Sequence, residues 1–300
     1  MGTIHHHNCP VCSSYNLQQV FTSKDYTVSG EEFELCKCEG CSVIFTRDVP
    51  AQEAIGAYYA SQNYISHSNT QKGFINSLYH KVRAVTLTAK RKIIVKHTGV
   101  KQGKLLDVGC GTGAFLNEMK MAGWAVTGLE PDELARKNAM QLFGITPESS
   151  EEIFNLPHKS FDAITLWHVL EHVHQLQEYV AQLQLLLKDT GRLFIAVPNY
   201  TSYDAAHYKA HWAAYDVPRH LYHFSPDSMQ FLMQQHTLEV IDIKPMWFDS
   251  FYVSMLSEQY KNGKGNIIKA FFIGLLSNVK ALYNKEKCSS LIYIIKKSVE

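Results

Sequence analysis

The chain has 300 residues, enough for one large or two small domains with a substantial core. Hydrophobic residues make up 46% and charged residues 19%, which excludes a wholly disordered protein. The 29 Lys and Arg against 28 Asp and Glu give a formal net charge of +1, which counts against a protein whose main partner is nucleic acid. Since no apolar stretch reaches the length of a membrane span and the first residues lack a signal segment, we expect a cytoplasmic protein.

Cysteines are concentrated near the start of the chain, with five of the seven at or before Cys41. Four of them form two C-x-x-C pairs: Cys9, Cys12, Cys38 and Cys41. Four thiolates at this spacing fill the tetrahedral shell of a structural zinc ion. Alternating residues at 18–21 and 32–36 predict a hairpin between the pairs. Cys36 in place of Cys38, or one of the histidines at 5–7, are alternative ligands.

The remaining chain changes from helical to alternating patterns. Apolar residues recur at helical spacing over 51–59 and 74–96. From position 104 short apolar runs alternate with helical segments. The predicted strands are 104–108, 125–129, 144–146, 161–166, 191–197, 238–244 and 290–296; the predicted helices are 114–122, 131–143, 175–187, 225–236, 251–260 and 267–283. This alternation predicts an α/β fold with a Rossmann-like, mostly parallel sheet and helices on both faces.

A strand, a glycine turn and a helix follow one another at Leu105–Leu116, which is where an open α/β sheet binds its ligand. The glycines are spaced G-x-G-x-G, unlike the G-x-G-x-x-G of dinucleotide sites. Asp107, two residues before the first glycine, would repel phosphate but suits an ammonium group. Glu130 ends the second strand and can accept hydrogen bonds from ribose hydroxyls. Both carboxylates fit S-adenosylmethionine; a turn without a ligand is the alternative.

Four segments stand in the order expected for one enzyme family: LLDVGCGTG at 105–113, GLEP at 128–131, FDAI with WHVLEHV between 161 and 173, and GRLFIAVPN at 191–199. Over residues 95–245 the chain resembles the class I S-adenosylmethionine-dependent methyltransferases. The resemblance implies seven strands, the last antiparallel between the fifth and sixth. It implies a cofactor site formed by Asp107, Gly109, Cys110, Gly111, Gly113, Glu130, Pro131, Trp167 and His168. For Trp167, core packing is the alternative.

A polar loop at 212–226 follows the fifth strand, where the methyl acceptor of this family binds. Its D-x-P-R-H-L segment resembles small-molecule and polysaccharide-associated methyltransferases. His220 or His223 could remove a proton from the acceptor, and His168 is a third candidate for catalysis. Alternatively, Asp216 and Arg219 form a structural ion pair and the histidines brace the loop.

We therefore predict four parts: a zinc-ribbon-like module at 1–47, a helical linker or cap at 48–98, a methyltransferase core at 99–248 and 289–300, and a helical insertion or lid at 249–288. The predicted function is methyl transfer to a small-molecule acceptor, such as a sugar or a lipid or polysaccharide precursor. An RNA methyltransferase and a non-catalytic partner-binding module are the alternatives. The apolar segment 267–283 could cover the active site, contact another subunit, lie on a membrane, or pack as a core helix.

Overall fold

A computed structural model describes residues 2–59 and 74–298, with side chains from 82 onward in the second range. The strands are β1 (Thr3–His5), β2 (Leu17–Lys24), β3 (Glu32–Cys38), β4 (Ile44–Thr46), β5 (Asp48–Pro50), β6 (Lys104–Val108), β7 (Ala125–Leu129), β8 (Phe161–Trp167), β9 (Leu187–Pro198), β10 (Tyr222–His223), β11 (Leu238–Pro245) and β12 (Ser290–Lys297). The α-helices are α1 (Phe74–Thr98), α2 (Ala114–Met121), α3 (Glu133–Phe143), α4 (Leu176–Leu186), α5 (Tyr203–Tyr208), α6 (Pro226–Gln235), α7 (Asp249–Asn262) and α8 (Ile267–Tyr283).

The central sheet confirms the α/β class and has the order β11-β12-β9-β8-β6-β7. Strands β6 to β9 pair in parallel, and β12 is antiparallel to both of its neighbours, as the family resemblance implied. Within the described residues the sheet has six strands rather than seven. The segment predicted as a strand at 144–146 forms neither a strand nor a bridge; the one bridge nearby joins Glu148 to Leu129. Gly144 ends α3 in the left-handed region with φ +60°, so the residues predicted to begin this strand belong to the helix end.

Side chains of the central strands alternate between two cores, because successive residues of a strand point to opposite faces. Leu106 and Ile164 face one side, where α4 and α6 cover them. Leu105 and Ala163 face the other side, against α1 and α2. Helices therefore lie on both faces, and the carboxyl ends of β6, β7 and β8 meet at one edge of the sheet.

The N-terminal residues form a small unit that packs on the rest of the chain. Strands β2, β3 and β4 form an antiparallel sheet, which confirms the predicted hairpin, and β10 joins it beside β4. The Gln177 side chain donates to the Val11 carbonyl at 2.7 Å. Thr46 donates its hydroxyl to the His220 carbonyl at 2.9 Å. The first 50 residues are thus held against α4 and the polar loop.

The helices α7 and α8 pack on each other and on α5. The segment at 51–59 differs from the prediction, since only Ile55–Tyr59 is helical there, as a short 3-10 turn. In the described parts of the chain, no helix is both long and apolar enough to cross a bilayer. The four-part division of the chain stays a prediction.

Candidate functional site

The glycine turn joins β6 to α2 in a conformation that most side chains disfavour. Gly109, Gly111 and Gly113 have φ angles of +69°, +54° and +77°. A Cβ at Gly109 would lie 2.4 Å from Val169, and one at Gly113 would lie 3.0 Å from Ala139. At Gly111 nothing lies within 4 Å, so the backbone there faces open space. Packing thus requires the first and third glycines, whereas the second leaves room for a ligand.

Asp107 lies at the carboxyl end of β6 with 1% of its surface exposed. Thr165 of β8 donates its hydroxyl to an Asp107 oxygen at 2.6 Å. Burial raises the pKa of Asp107 to about 7, although the Thr165 hydrogen bond and the charge of Lys90 lower it. A buried carboxylate with an unusually high pKa is typical of a binding site rather than of a structural ion pair.

Glu130 follows β7 and reaches back to the glycine turn. Its two carboxylate oxygens accept hydrogen bonds from the backbone N–H of Gly111 at 2.8 Å and of Asp132 at 3.0 Å. Pro131 is exposed beside it. A carboxylate accepts about four hydrogen bonds, so capacity remains for two hydroxyl donors. Cys110 is half-buried and packs against the core of the α1 and α2 face.

Lys90 of α1, which the sequence did not single out, enters this site. Its ammonium nitrogen lies 4.1 Å from the ring centroid of Trp167, a cation–π contact. Burial lowers the pKa of Lys90 to about 8, opposed by the negative charges of Asp107 and Asp249. The Trp167 indole N–H is buried and has no hydrogen-bond acceptor among the described residues. The sequence contains one indication of this position: Lys90 is at helical spacing between Leu87 and Ile94, on the apolar face of α1.

His168 follows β8 in the left-handed region, with φ +58°. Its Nε2 lies 3.1 Å from Asp249 at the start of α7, and its Nδ1 lies 3.4 Å from Glu171. Desolvation opposes protonation, but the contacts with Asp249 and Glu171 raise the pKa of His168 to about 10. The structure thus brings α7 to the edge of the site, and a catalytic role for His168 stays a prediction.

The polar loop is anchored by Arg219, which has 1% of its surface exposed. Its guanidinium donates to Asp216 at 2.6 and 3.0 Å and to Asp25 of the N-terminal unit at 3.0 Å. The ion pair considered as an alternative therefore exists, with a second carboxylate that the sequence did not indicate. His220 Nδ1 donates to the Ala214 carbonyl at 2.9 Å. His223 is buried, which lowers its pKa well below the usual value, and its Nε2 has no partner in the described residues.

The four cysteines of the two C-x-x-C pairs converge. One sulfur from each lies within 4.8 Å of the others, with 3.6 Å between Cys9 and Cys41 and 3.4 Å between Cys12 and Cys38. Cys36 is outside this group, because its thiol donates to Glu34 at 3.1 Å. Tetrahedral zinc with bonds of about 2.3 Å separates its sulfurs by slightly less than 4 Å, so the quartet fits a zinc ion.

Comparison with models of protein families shows which family the chain belongs to. A family model described as "Methyltransferase domain" matches residues 80–243, more than half of the 300. The chain belongs to this methyltransferase family. The matched residues span the glycine turn, Glu130, Trp167 and the polar loop.

Among curated proteins, this methyltransferase-family chain is 35% identical over 121 residues to "Ubiquinone biosynthesis O-methyltransferase" of Haemophilus ducreyi, covering 36% of this chain and 51% of that protein. It is 31% identical over 134 residues to "Demethylmenaquinone methyltransferase" of Tropheryma whipplei, covering 43% and 56%. The chain thus spans about half the length of these relatives. A solved structure, a SAM dependent methyltransferase from Archaeoglobus fulgidus, is 20% identical with a TM-score of 0.49, covering 75% of this chain and 100% of that one.

Proposed function

We propose that this chain transfers the methyl group of S-adenosylmethionine to a small-molecule acceptor. The observation that carries the proposal is the meeting of Asp107, the open backbone at Gly111 and Glu130 at the carboxyl edge of the parallel sheet. In open α/β sheets ligands bind at this edge. Membership of the methyltransferase family supports the same conclusion.

The residues fit the cofactor by charge and by hydrogen bonding. Asp107 would accept from the ammonium of its amino-acid end, and Lys90 would pair with the carboxylate of that end. Glu130 would accept from the ribose hydroxyls. Trp167, whose N–H lacks an acceptor among the described residues, offers its ring as one wall. The cofactor supplies an electrophilic methyl group on a sulfonium, and the chain contributes positioning and exclusion of water.

The acceptor side is the edge formed by His168 and the loop at 212–226. His220 and His223 remain our candidates for proton removal from the acceptor. His168, whose pKa is raised to about 10 by Asp249 and Glu171, would instead be a positively charged group beside the acceptor. The names of the quinone-biosynthesis relatives support a small molecule over RNA. The near-neutral charge of the chain supports it too. Salt-dependent filter binding to RNA would favour the RNA alternative instead.

Calorimetric titration with S-adenosylhomocysteine, the reaction product, tests the cofactor. We expect binding by the wild type and at least tenfold weaker binding by Glu130→Ala. Glu133→Ala is the matched control, since Glu133 is exposed and forms a surface ion pair with Lys137 at 2.7 Å. Absence of binding by folded protein freed of co-purified ligand would contradict the proposal and favour a partner-binding module.

We also propose that the cysteine quartet holds one structural zinc ion. With four thiolates bound, the ion has no open position, so its role is to stabilise the N-terminal unit. Metal analysis should find one zinc per chain, lost in Cys12→Ser but retained in Cys36→Ser. Equal zinc content in both variants would refute this ligand set.

We also propose that the exposed face of α8 binds a membrane surface that contains anionic lipid. Ile267, Ile268 and Leu282 are each more than 70% exposed, although their helix is strongly apolar. Exposed lysines flank this face at Lys264 and Lys280. A helix with an apolar face and flanking lysines is typical of binding in the plane of an anionic membrane.

Vesicle sedimentation tests this surface. We expect the wild type to bind vesicles with phosphatidylserine more than neutral vesicles, and Ile268→Glu with Leu282→Glu to reduce binding. Leu134→Glu, at an exposed leucine of α3, is the control. If the wild type does not bind vesicles but forms dimers through α8, the membrane proposal is wrong and this face is a subunit interface.

A further inference from the structure

A second cluster of metal-binding side chains lies where the chain leaves β8. Glu171, His172 and His220 each offer one donor atom, and these atoms lie within 4.8 Å of one another. The His172 and His220 ring centroids are 4.6 Å apart. Two imidazole nitrogens and one carboxylate oxygen form a ligand set that binds divalent first-row metals and leaves further positions open.

Hydrogen bonds on the outer side of each imidazole orient the donor atoms. His172 Nδ1 lies 3.0 Å from the Arg219 carbonyl, and His220 Nδ1 lies 2.9 Å from the Ala214 carbonyl. His172 Nδ1 also lies 3.0 Å from the Tyr59 hydroxyl, which can donate or accept. Because a carbonyl only accepts, the carbonyl contacts favour the tautomer with the hydrogen on Nδ1 in both rings. The lone pairs are therefore on the two Nε2 atoms. Histidines that bind metals show this pattern, with the distal nitrogen donating to a carbonyl or carboxylate.

Glu171 supplies an independent indication of a ligand. Its side chain is 0% exposed, yet neither carboxylate oxygen accepts a hydrogen bond from any residue that the structure describes. Among the described residues its ion-pair partner is His168, at 3.4 Å, which also pairs with Asp249. Burying a carboxylate without hydrogen bonds is costly, and a bound cation removes that cost.

We propose that Glu171, His172 and His220 bind one divalent transition-metal ion, distinct from the zinc of the cysteine quartet. The ion would join the end of β8 to the polar loop at a fixed distance. It would occupy the lone pair of His220, so His223 would then be the candidate base of this loop. One consequence rests on the proposed function: an open coordination position at this edge could hold an oxygen of the methyl acceptor.

Titration with Co²⁺ alone, on zinc-loaded protein without cofactor, tests the site. We expect one additional equivalent of Co²⁺, with a visible spectrum of nitrogen and oxygen ligands and no sulfur-to-cobalt charge transfer. Sulfur charge transfer would show exchange at the cysteines instead and would contradict a new site. Because no cofactor is present, a failure here is distinguishable from a failure to bind S-adenosylhomocysteine.

Variants then identify the ligands. Glu171→Gln and His220→Gln should each weaken Co²⁺ binding at least tenfold. His174→Gln should bind within twofold of the wild type, since His174 is on the same segment but contacts the Pro50 carbonyl instead. Circular dichroism checks that each variant is folded. If Glu171→Gln does not fold, His220→Gln tests the site, and the reverse also holds. No cobalt binding by the wild type, or equal binding by all three variants, would overturn the proposal.

Discussion

Asp107 and Lys90 show how single residues set the binding properties of the site. Burial raises the pKa of Asp107 to about 7 and lowers that of Lys90 to about 8. The proposed cofactor needs an ionised Asp107 for its ammonium and a protonated Lys90 for its carboxylate. The two groups are both charged mainly between these values, so binding should depend on pH near neutrality.

We predict that affinity for S-adenosylhomocysteine is greatest between pH 7 and 8. Below that range Asp107 gains a proton, and about tenfold affinity is lost for each further pH unit. Above it Lys90 loses its proton and affinity falls again. Calorimetry across pH 6 to 9 measures the profile. In Lys90→Gln the affinity should decrease less above pH 8, because no lysine loses its proton there. An affinity that stays constant between pH 6 and 8 would contradict the role given to Asp107.

Arg219 is a residue whose importance is structural. It neutralises Asp25, which is 1% exposed, and binds Asp216 with two hydrogen bonds. Removing one partner of a buried ion pair leaves an uncompensated charge, which costs about 3–5 kcal/mol. We predict a loss of this size for Arg219→Gln in urea unfolding. Arg47→Gln, in a partly exposed pair with Glu34, should lose less than about 1 kcal/mol; equal losses would show that Arg219 is not a buried anchor.

Among the elements, the α7–α8 pair depends on close backbone approach. A Cβ at Gly274 of α8 would lie 3.0 Å from the Cα of Phe251 in α7. Overpacking of this kind costs about 1–3 kcal/mol, and the better helix propensity of alanine returns about 1 kcal/mol.

We therefore predict that Gly274→Ala lowers the free energy of unfolding by about 1 kcal/mol. Gly265→Ala, where nothing lies within 4 Å of the added Cβ, should have no such effect. Thermal unfolding of both variants measures the difference. Stabilisation by Gly274→Ala would mean that the helices separate without cost.

At the scale of the whole molecule, the N-terminal unit and the polar loop form a continuous structure. Strand β10, from the loop, pairs with β4, and Thr46 N–H donates to the Leu221 carbonyl at 3.0 Å. Arg219 reaches Asp25 across the same boundary. A metal that stabilises the N-terminal unit should therefore also order the loop beside the candidate site.

We predict that Cys12→Ser, by losing zinc, raises amide hydrogen exchange in β3, β4 and the loop at 219–224. Exchange in β6 and β8 should stay unchanged, because these strands are in the interior of the central sheet. Mass spectrometry of exchanged peptides measures both regions, with Cys36→Ser as the control. An increase confined to β3 and β4 would show that the loop is ordered independently of the metal.

Much of the fold and the cofactor side of the site could be predicted from the sequence, because they depend on local spacing. Short apolar runs between helical segments predicted the strands, and the segment from Asp107 to Gly113 marked the turn where the sheet binds its ligand. The C-x-x-C pairs predicted a cysteine cluster, and the structure brings those four sulfurs together. The extra strand at 144–146 was wrong because Gly144 ends α3 in the left-handed region, and apolar spacing does not show where the preceding helix ends.

What only the tertiary structure decided is which distant residues meet. Asp249 contacts His168, which is 81 residues earlier in the sequence, and Asp25 contacts Arg219, which is 194 residues later. Lys90 enters the site from a helix that precedes the sheet. Such contacts follow from how helices and loops pack on the sheet edge, and no spacing in the sequence records them. Local motifs thus determined the fold and the candidate cofactor contacts, while packing determined the charges around them, since each charge is set by a partner from another element.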